Sequence, residues 1–319
     1  MKKITVSAPG KLMLLGEHAV VYDRPCIVTA VGQRMRATVE LTNEPIFELN
    51  APDVQVTNYQ KPMSKLGKGN LPKGAKFVEM AVSNFPTRYG VKVTTKSEFS
   101  SQFGFGSSSA STVCIIKALS ELTGKKLSDK QIFDLAYKTV LDIQGKGSGF
   151  DVAAAVYGGT LYFVIGGKVI KPLNLSSLPL VIGYSGIKAD TVTLINEVLE
   201  KAKKYPKIID NVYAAIGNLV EQAKKALLQS DWITLGELMN LNEGYLSILE
   251  VEGKKLSSMI YAAREAGAYG AKLSGAGIGD CMIALHSVQG KPPIKKAIQR
   301  AGGQVIDIKA NVEGVRVEK

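Results

Sequence analysis

Histidine and tryptophan are nearly absent from this 319-residue chain, with two copies and one, and cysteine occurs three times. Cys26, Cys114 and Cys281 lie far apart in apolar contexts and show no metal-ligand spacing. Buried, reduced thiols follow, which suit a cytosolic protein rather than a disulfide-stapled secreted one. No apolar run approaches the ~18 residues of a membrane span. The opening MKKITVSAPGK is too short and interrupted for a signal peptide. A soluble, cytoplasmic protein with no membrane partner is expected. Acidic residues are scarce, 28 against 40 lysines and arginines, giving a formal charge of +12. Short lysine clusters occur at Lys201, Lys203 and Lys204 and at Lys295 and Lys296, but no basic stripe is interleaved with aromatics. That pattern speaks against nucleic acid and is compatible with anionic small molecules.

The length exceeds what one hydrophobic core usually supports, so two domains are expected. The first ~100 residues read mostly as strands, in ITVSA, CIVTAV, MRATVEL, IFELN and VKVTTK. Between the last two, TNYQKPMSKLGKGNLPKGAK reads as a mobile loop, a lid candidate. KFVEMAVSN carries a helical period that ends before Pro86, and SSASTVCIIKALSEL predicts a buried helix stopped by Gly124. Ser128 opens a capping box for a helix running to Gly145. A strand hairpin in GTLYFVIGGKVIKPL and a strand in LPLVIGYS follow. Residues from about 190 to 266 are helical in period, and the chain ends in a βαβ-like run that includes GQVIDIKA and GVRVEK. The fold class is α+β, with an N-terminal domain over 1–178 and a C-terminal domain over 179–319.

Three glycine-rich places and one aspartate stand out. SAPGKLMLLGEH puts Lys11 beside a Pro-Gly turn and leads an apolar strand into Gly16, Glu17 and His18; a surface hairpin is the plain alternative. FGFGSSSAS sets Gly104 and Gly106 before Ser107, Ser108 and Ser109 and a helix. Free N–H groups and partial positive charge make a helix start an anion site, while one serine would suffice for an ordinary N-cap. No lysine follows the second glycine, so this is not the Walker-type phosphate loop. KLSGAGIGD packs three glycines and an alanine into a turn that either exposes backbone amides to a ligand or closes a tight hairpin. Asp151, after Gly147-Ser148-Gly149-Phe150, is either a helix cap or a base for a hydroxyl held beside it.

Taken together and in this order, PGKLMLLGEH, GFGSSSA and KLSGAGIGD resemble the three motifs of the GHMP kinases, over essentially the whole chain. The resemblance implies an N-terminal α/β domain like ribosomal protein S5 domain 2, a ferredoxin-like C-terminal domain, and ATP and Mg2+ as cofactors. Within the family, GEHAVVY followed by RPCIVTAV, and MNLNEGYLSILEV ahead of AREAGAYGAKLSGAG, resemble mevalonate kinases. Carried over residue by residue, Lys11 and Asp151 would sit at the transferring phosphate. Glu17 and His18 would lie beside the mevalonate pocket, with Ser148 and the turn Gly275, Ala276 and Gly277 also contacting substrate. Gly104, Gly106, Ser107, Ser108, Ser109 and Ala110 would wrap the triphosphate, with Ser108 a magnesium ligand and Ser107 and Ser109 capping the helix or touching phosphate.

Two departures bear on the acceptor. Mevalonate kinases carry a magnesium-binding glutamate eleven residues before that aspartate, where this chain has Val140; Gln144, on the same helical face, is a poorer magnesium ligand. QGKGSGFDVAAAVYGG and Gly279-Asp280-Cys281 lean toward phosphomevalonate kinases. The expected reaction is phosphorylation of mevalonate to 5-phosphomevalonate, with phosphomevalonate as the alternative acceptor. A non-catalytic ligand sensor and an RNA-binding use of the S5-like domain are the other readings. A homodimer is left open.

Overall fold

The computed structural model describes residues 2–287 and 290–318. Met1 and Lys319, at the ends of the expected first and last segments, lie outside the described residues. In chain order the first unit comprises β1 (Lys3–Leu15), β2 (Cys26–Thr42), β3 (Ile46–Ala51), β4 (Val56–Pro62), α1 (Lys76–Asn84), β5 (Gly90–Ser97), α2 (Ser107–Leu122), α3 (Asp129–Gln144), α4 (Phe150–Tyr157), β6 (Thr160–Val164) and β7 (Val169–Pro172). The second comprises β8 (Leu180–Tyr184), α5 (Thr191–Lys204), α6 (Pro206–Gln229), α7 (Trp232–Ile248), α8 (Lys254–Glu265), β9 (Gly270–Ser274), β10 (Cys281–Leu285), α9 (Lys291–Arg300) and β11 (Gln304–Ile306). A last strand, β12 (Arg316–Val317), returns to the first sheet beside β1.

The first sheet runs β12-β1-β2-β5-β3-β4, with β6 and β7 branching from the start of β2. Only β3 and β5 pair in parallel. β2 reads as two strands in one. Its first half, CIVTAV, is buried throughout because α4 and α6 both pack on it, whereas MRATVELT alternates buried and half-buried residues. The second sheet runs β11-β8-β10-β9, all antiparallel. Numbered within the unit this is the 4-1-3-2 order of a ferredoxin-like sheet, with α5 to α8 between its first two strands.

Three expectations change. The segment TNYQKPMSKLGKGNLPKGAK is not loop throughout, since β4 takes its first residues and pairs antiparallel with β3. Tyr59 and Lys61 on that strand reach the buried Glu79 of α1 at 2.7 Å each. GVRVEK belongs to the first sheet rather than to the final βαβ-like run: Arg34, 5% exposed, donates to the Glu313 and Gly314 carbonyls and holds the returning tail. The Pro-Gly pair is no turn, because β1 passes straight through it with a bulge between Pro9 and Gly10, where a proline's missing N–H is tolerated.

The two sheets share no strand, and buried polar contacts join them. The Ser274 hydroxyl at the end of β9 receives the Met13 N–H at 3.0 Å and donates to the Met13 carbonyl at 2.9 Å. Lys272 of β9, fully buried, forms an ion pair with Glu17, which is 1% exposed. Asn242 of α7 receives the Gly16 N–H, and its neighbour Glu243 receives the Leu273 N–H at 2.9 Å. Two carboxylates thus face one lysine with no solvent. Burial pushes the Glu243 carboxyl up to about 7 despite the attraction of Lys272.

That displacement has a definite sign. A carboxyl whose folded pKa of about 7 exceeds its unfolded 4.5 destabilises the fold as pH rises through that window, and the penalty is complete above it. Glu243→Gln keeps an acceptor for Leu273 and removes the titration. At pH 8 the variant is expected to be more stable than the parent by about 2 to 3 kcal/mol, with most of the gain gone at pH 5. Denaturant unfolding at both pH values measures this, and a constant difference would contradict the assignment.

Candidate active site

α2 starts at Gly106, which takes φ 79° as its N-cap, with no side chain capping it. The expected serine cap is therefore not made. The first helical bond is Ala110 N–H to the Gly106 carbonyl, so the N–H groups of Ser107, Ser108 and Ser109 point out of the helix start without helical acceptors. Ahead of them Gly104 also takes a positive φ, 74°. Both glycines let the backbone turn where a side chain would be strained.

Lys11 comes to this helix start from β1. Its N–H donates to the Phe105 carbonyl at 2.9 Å and its ammonium to the Gly104 carbonyl at 2.7 Å. A Cβ on Gly10 would sit 3.0 Å from the Cβ of Phe105, so the bulge glycine is what lets the loop backbone lie on the strand. Asp151 approaches from the first turn of α4, whose N-cap is Gly149 at φ 90°. Gly106 lies between the two: a Cβ there would be 3.4 Å from the Lys11 side chain and 3.5 Å from the Asp151 Cβ. The Ser109 hydroxyl donates to Asp151 Oδ2 at 2.5 Å. Burial pulls the Lys11 pKa down, and the nearby Asp151 and Asp280 carboxylates oppose that.

The structure therefore brings Lys11, Asp151, Gly104, Gly106 and Ser109 into one cluster, with Ser107, Ser108 and Ala110 on the same helix start. Ser148 is buried in the loop before Asp151, its carbonyl receiving the Gly166 N–H. His18 adopts φ 59°, an uncommon conformation for a side-chain-bearing residue. Its Nε2 lies 2.9 Å from the Ala276 carbonyl, and burial lowers its pKa. Gly275 and Gly277 flank Ala276 at φ 114° and 98°, and a Cβ on Gly277 would fall 2.1 Å from the Val251 carbonyl. Glu17 is placed differently from a residue lining an acceptor cavity, for its carboxylate is enclosed against Lys272. Its reach to the site is through the backbone it shares with His18.

Sequence reasoning passed over four residues. Lys272 and Asp280 lie inside a quoted motif but were not singled out, and Glu243 lies in a stretch quoted only for its resemblance; no local pattern marks Lys188. For a metal, no group of three or more His, Cys, Asp or Glu side chains is placed to hold one among the described residues. Val140 is buried and, like Gln144, faces Gly147 in the loop before Asp151. The side-chain oxygens at the helix start are the hydroxyls of Ser107, Ser108 and Ser109, with the Asp151 carboxylate beside Ser109. That sparse, hard set fits a Mg2+ held largely by phosphate oxygens and water.

Comparison with known proteins agrees with this layout. Residues 70–159 match the GHMP kinases N terminal domain and residues 223–303 the GHMP kinases C terminal domain. The mevalonate kinase of Pyrococcus horikoshii is 35% identical, covering 100% of this chain and 99% of that protein. That of Thermococcus onnurineus is 34% identical over 99% of each. The crystal structure of Methanococcus jannaschii mevalonate kinase superposes with a TM-score of 0.82 at 25% identity, covering 97% of this chain and 98% of that one. Among the described residues no helix is long and apolar enough to cross a membrane. By motif order, fold and full-length similarity, the chain belongs to the GHMP kinase family.

Proposed function

We propose that this protein transfers the γ-phosphoryl group of ATP to the primary hydroxyl of mevalonate, giving 5-phosphomevalonate and ADP. The observation that carries this reading is the meeting of Lys11 and Asp151 across Gly106 at an uncapped helix N-terminus. The full-length relatives named mevalonate kinase support the choice of acceptor.

Each part of the site then has a task. The N–H groups of Ser107 to Ser109 and the helix dipole bind phosphate oxygens. Asp151 orients the acceptor hydroxyl and takes its proton as the oxygen attacks phosphorus, and Ser109 fixes which carboxylate oxygen stays free. The Lys11 ammonium stabilises charge on the moving phosphoryl group. The Ser108 hydroxyl would hold a Mg2+ bound with the nucleotide, which would neutralise phosphate charge. His18 and the Gly275–Gly277 turn form the acceptor side. Positioning and electrostatics carry most of the rate in phosphoryl transfer, which matches a site with fixed backbone and few reactive groups.

Asp151→Asn retains the shape and removes the proton acceptor. Turnover is expected to fall by about 100-fold or more while ATP binding stays within a few-fold; equal turnover would remove Asp151 from the mechanism. A coupled ADP-release assay on mevalonate and phosphomevalonate in parallel tests the acceptor. Turnover on mevalonate is expected to dominate. Preference for phosphomevalonate would transfer the assignment to that acceptor, and turnover on neither would leave a ligand-binding sensor.

A further inference from the structure

Lys11 meets a second carboxylate besides Asp151. Asp280, in the turn between β9 and β10, is 6% exposed and adopts φ 57°, a left-handed conformation that aspartate tolerates. Its backbone is stitched to the connection after β8: the Asp280 N–H donates to the Ile187 carbonyl at 2.7 Å, and the Asp280 carbonyl receives the Ser185 N–H at 3.0 Å. Its Oδ1 receives the Ala189 N–H at 3.1 Å and the Lys188 ammonium at 3.0 Å. Its Oδ2 lies against the phosphate loop, where a Cβ on Gly104 would fall 2.3 Å away. Next to it, the Cys281 thiol donates to the Phe103 carbonyl at 3.3 Å, and the Phe103 ring sits 5.0 Å from that of Tyr184. Residues 103 and 104 are thus shaped from the second sheet, and it is the Gly104 carbonyl that receives the Lys11 ammonium.

We propose that Asp280 is a positioning residue for phosphoryl transfer: clamped by Lys188 and the Ala189 N–H, its carboxylate buttresses Gly104 and so fixes the Lys11 ammonium at the reacting phosphate. The inference rests on the kinase reading above. A buried carboxylate is expensive unless a cation balances it, and Asp280 has two within reach, Lys188 by contact and Lys11 through the loop. Were Asp280 only a brace for the turn at 187–189, replacing its carboxylate by an isosteric amide would leave kcat at neutral pH unchanged.

The charged and titratable groups facing Lys11 are Asp151 from α4, Asp280 and Cys281 from the β9–β10 hairpin, and Lys188 from the β8–α5 connection. Burial lowers the Lys11 pKa, the two aspartates raise it, and Lys188 lowers it. Burial also drives the Cys281 thiol well up, so it contributes no charge near neutrality. If turnover requires the Lys11 ammonium, the alkaline limb of kcat against pH follows that group.

The test measures this limb by ADP release with mevalonate and saturating MgATP. Wild-type turnover is recorded first, so failure of the kinase reading shows there, apart from any variant. Asp280→Asn, which preserves the acceptor for Ala189, is expected to move the limb to lower pH by about half a unit or more and to lower kcat at neutral pH about tenfold. Lys188→Met is expected to move the limb to higher pH, and the double variant to return it close to wild type. Lys188 is half exposed, so its variant is decisive even if Asp280→Asn folds poorly. A limb that stays put in Lys188→Met, or that moves the same way in both single variants, overturns the proposal, as does a fall in kcat with an unmoved limb.

Discussion

The site depends on the ion pair between Glu17 and Lys272. The two sheets have no strand in common, yet phosphoryl transfer loses about 100-fold for each ångström of misplacement. Register between the sheets must therefore come from side chains, and a buried ion pair supplies it through direction rather than net energy. Removing both charges from water cancels most of their attraction, but removing one partner strands the other at a cost of about 3 to 5 kcal/mol. Ser274 and Met13 add an exchange of two hydrogen bonds a few residues away. The end of β1 is thereby fixed to β9, so Lys11 on that strand and the glycine turn after β9 face the same helix start.

With that seam in place, the loop before α2 needs no stiffness of its own. Gly10 admits it from beneath, Asp280 bounds it behind at Gly104, and Lys11 and Asp151 bound it at Gly106. At Gly104 and Gly10 a side chain would collide with its neighbour, and at Gly106 the positive φ favours glycine, which explains the spacing of the glycines better than flexibility does. It also explains how this loop differs from a Walker-type loop. There the lysine follows the glycines on the same chain segment, whereas here it arrives on a separate strand. The helix start supplies amides, the strand supplies the cation, and neither has to compromise its local geometry for the other.

Much of this was legible in the sequence because local physics wrote it there. The capping box at Ser128, the end of α1 before Pro86 and the helical periods of the second half depend on neighbours within one turn, and all stand as read. Lys11 and Asp151 stood out through the motifs around them, and the fold brings the two together across Gly106. The bulge at Pro9 was not, since a Pro-Gly pair reads as a turn until Phe105 is seen to pack on it. β4 was hidden because its lysine and tyrosine look solvent-facing, and the buried Glu79 on α1 gives both a partner. Asp280 and Lys188 were missed for the same cause: Asp280 lies against Gly104, far earlier in the chain, and Lys188 acts through Asp280.

The distribution of charge completes the picture. Around the site stand Lys11, Lys188 and Lys272 against Asp151, Asp280, Glu17 and Glu243, so the interior carries no positive excess although the whole chain carries +12. The surplus cations therefore lie outside this set of residues, and a net positive surface attracts anions over a Debye length of about 8 Å. Inside, nearly balanced pairs set the orientation of one ammonium and one carboxylate. A site that was itself strongly positive would bind the triphosphate tightly in the ground state and gain nothing in the transition state. In the proposed mechanism, a balanced interior leaves Lys11 free to respond to the charge that develops only as the phosphoryl group moves.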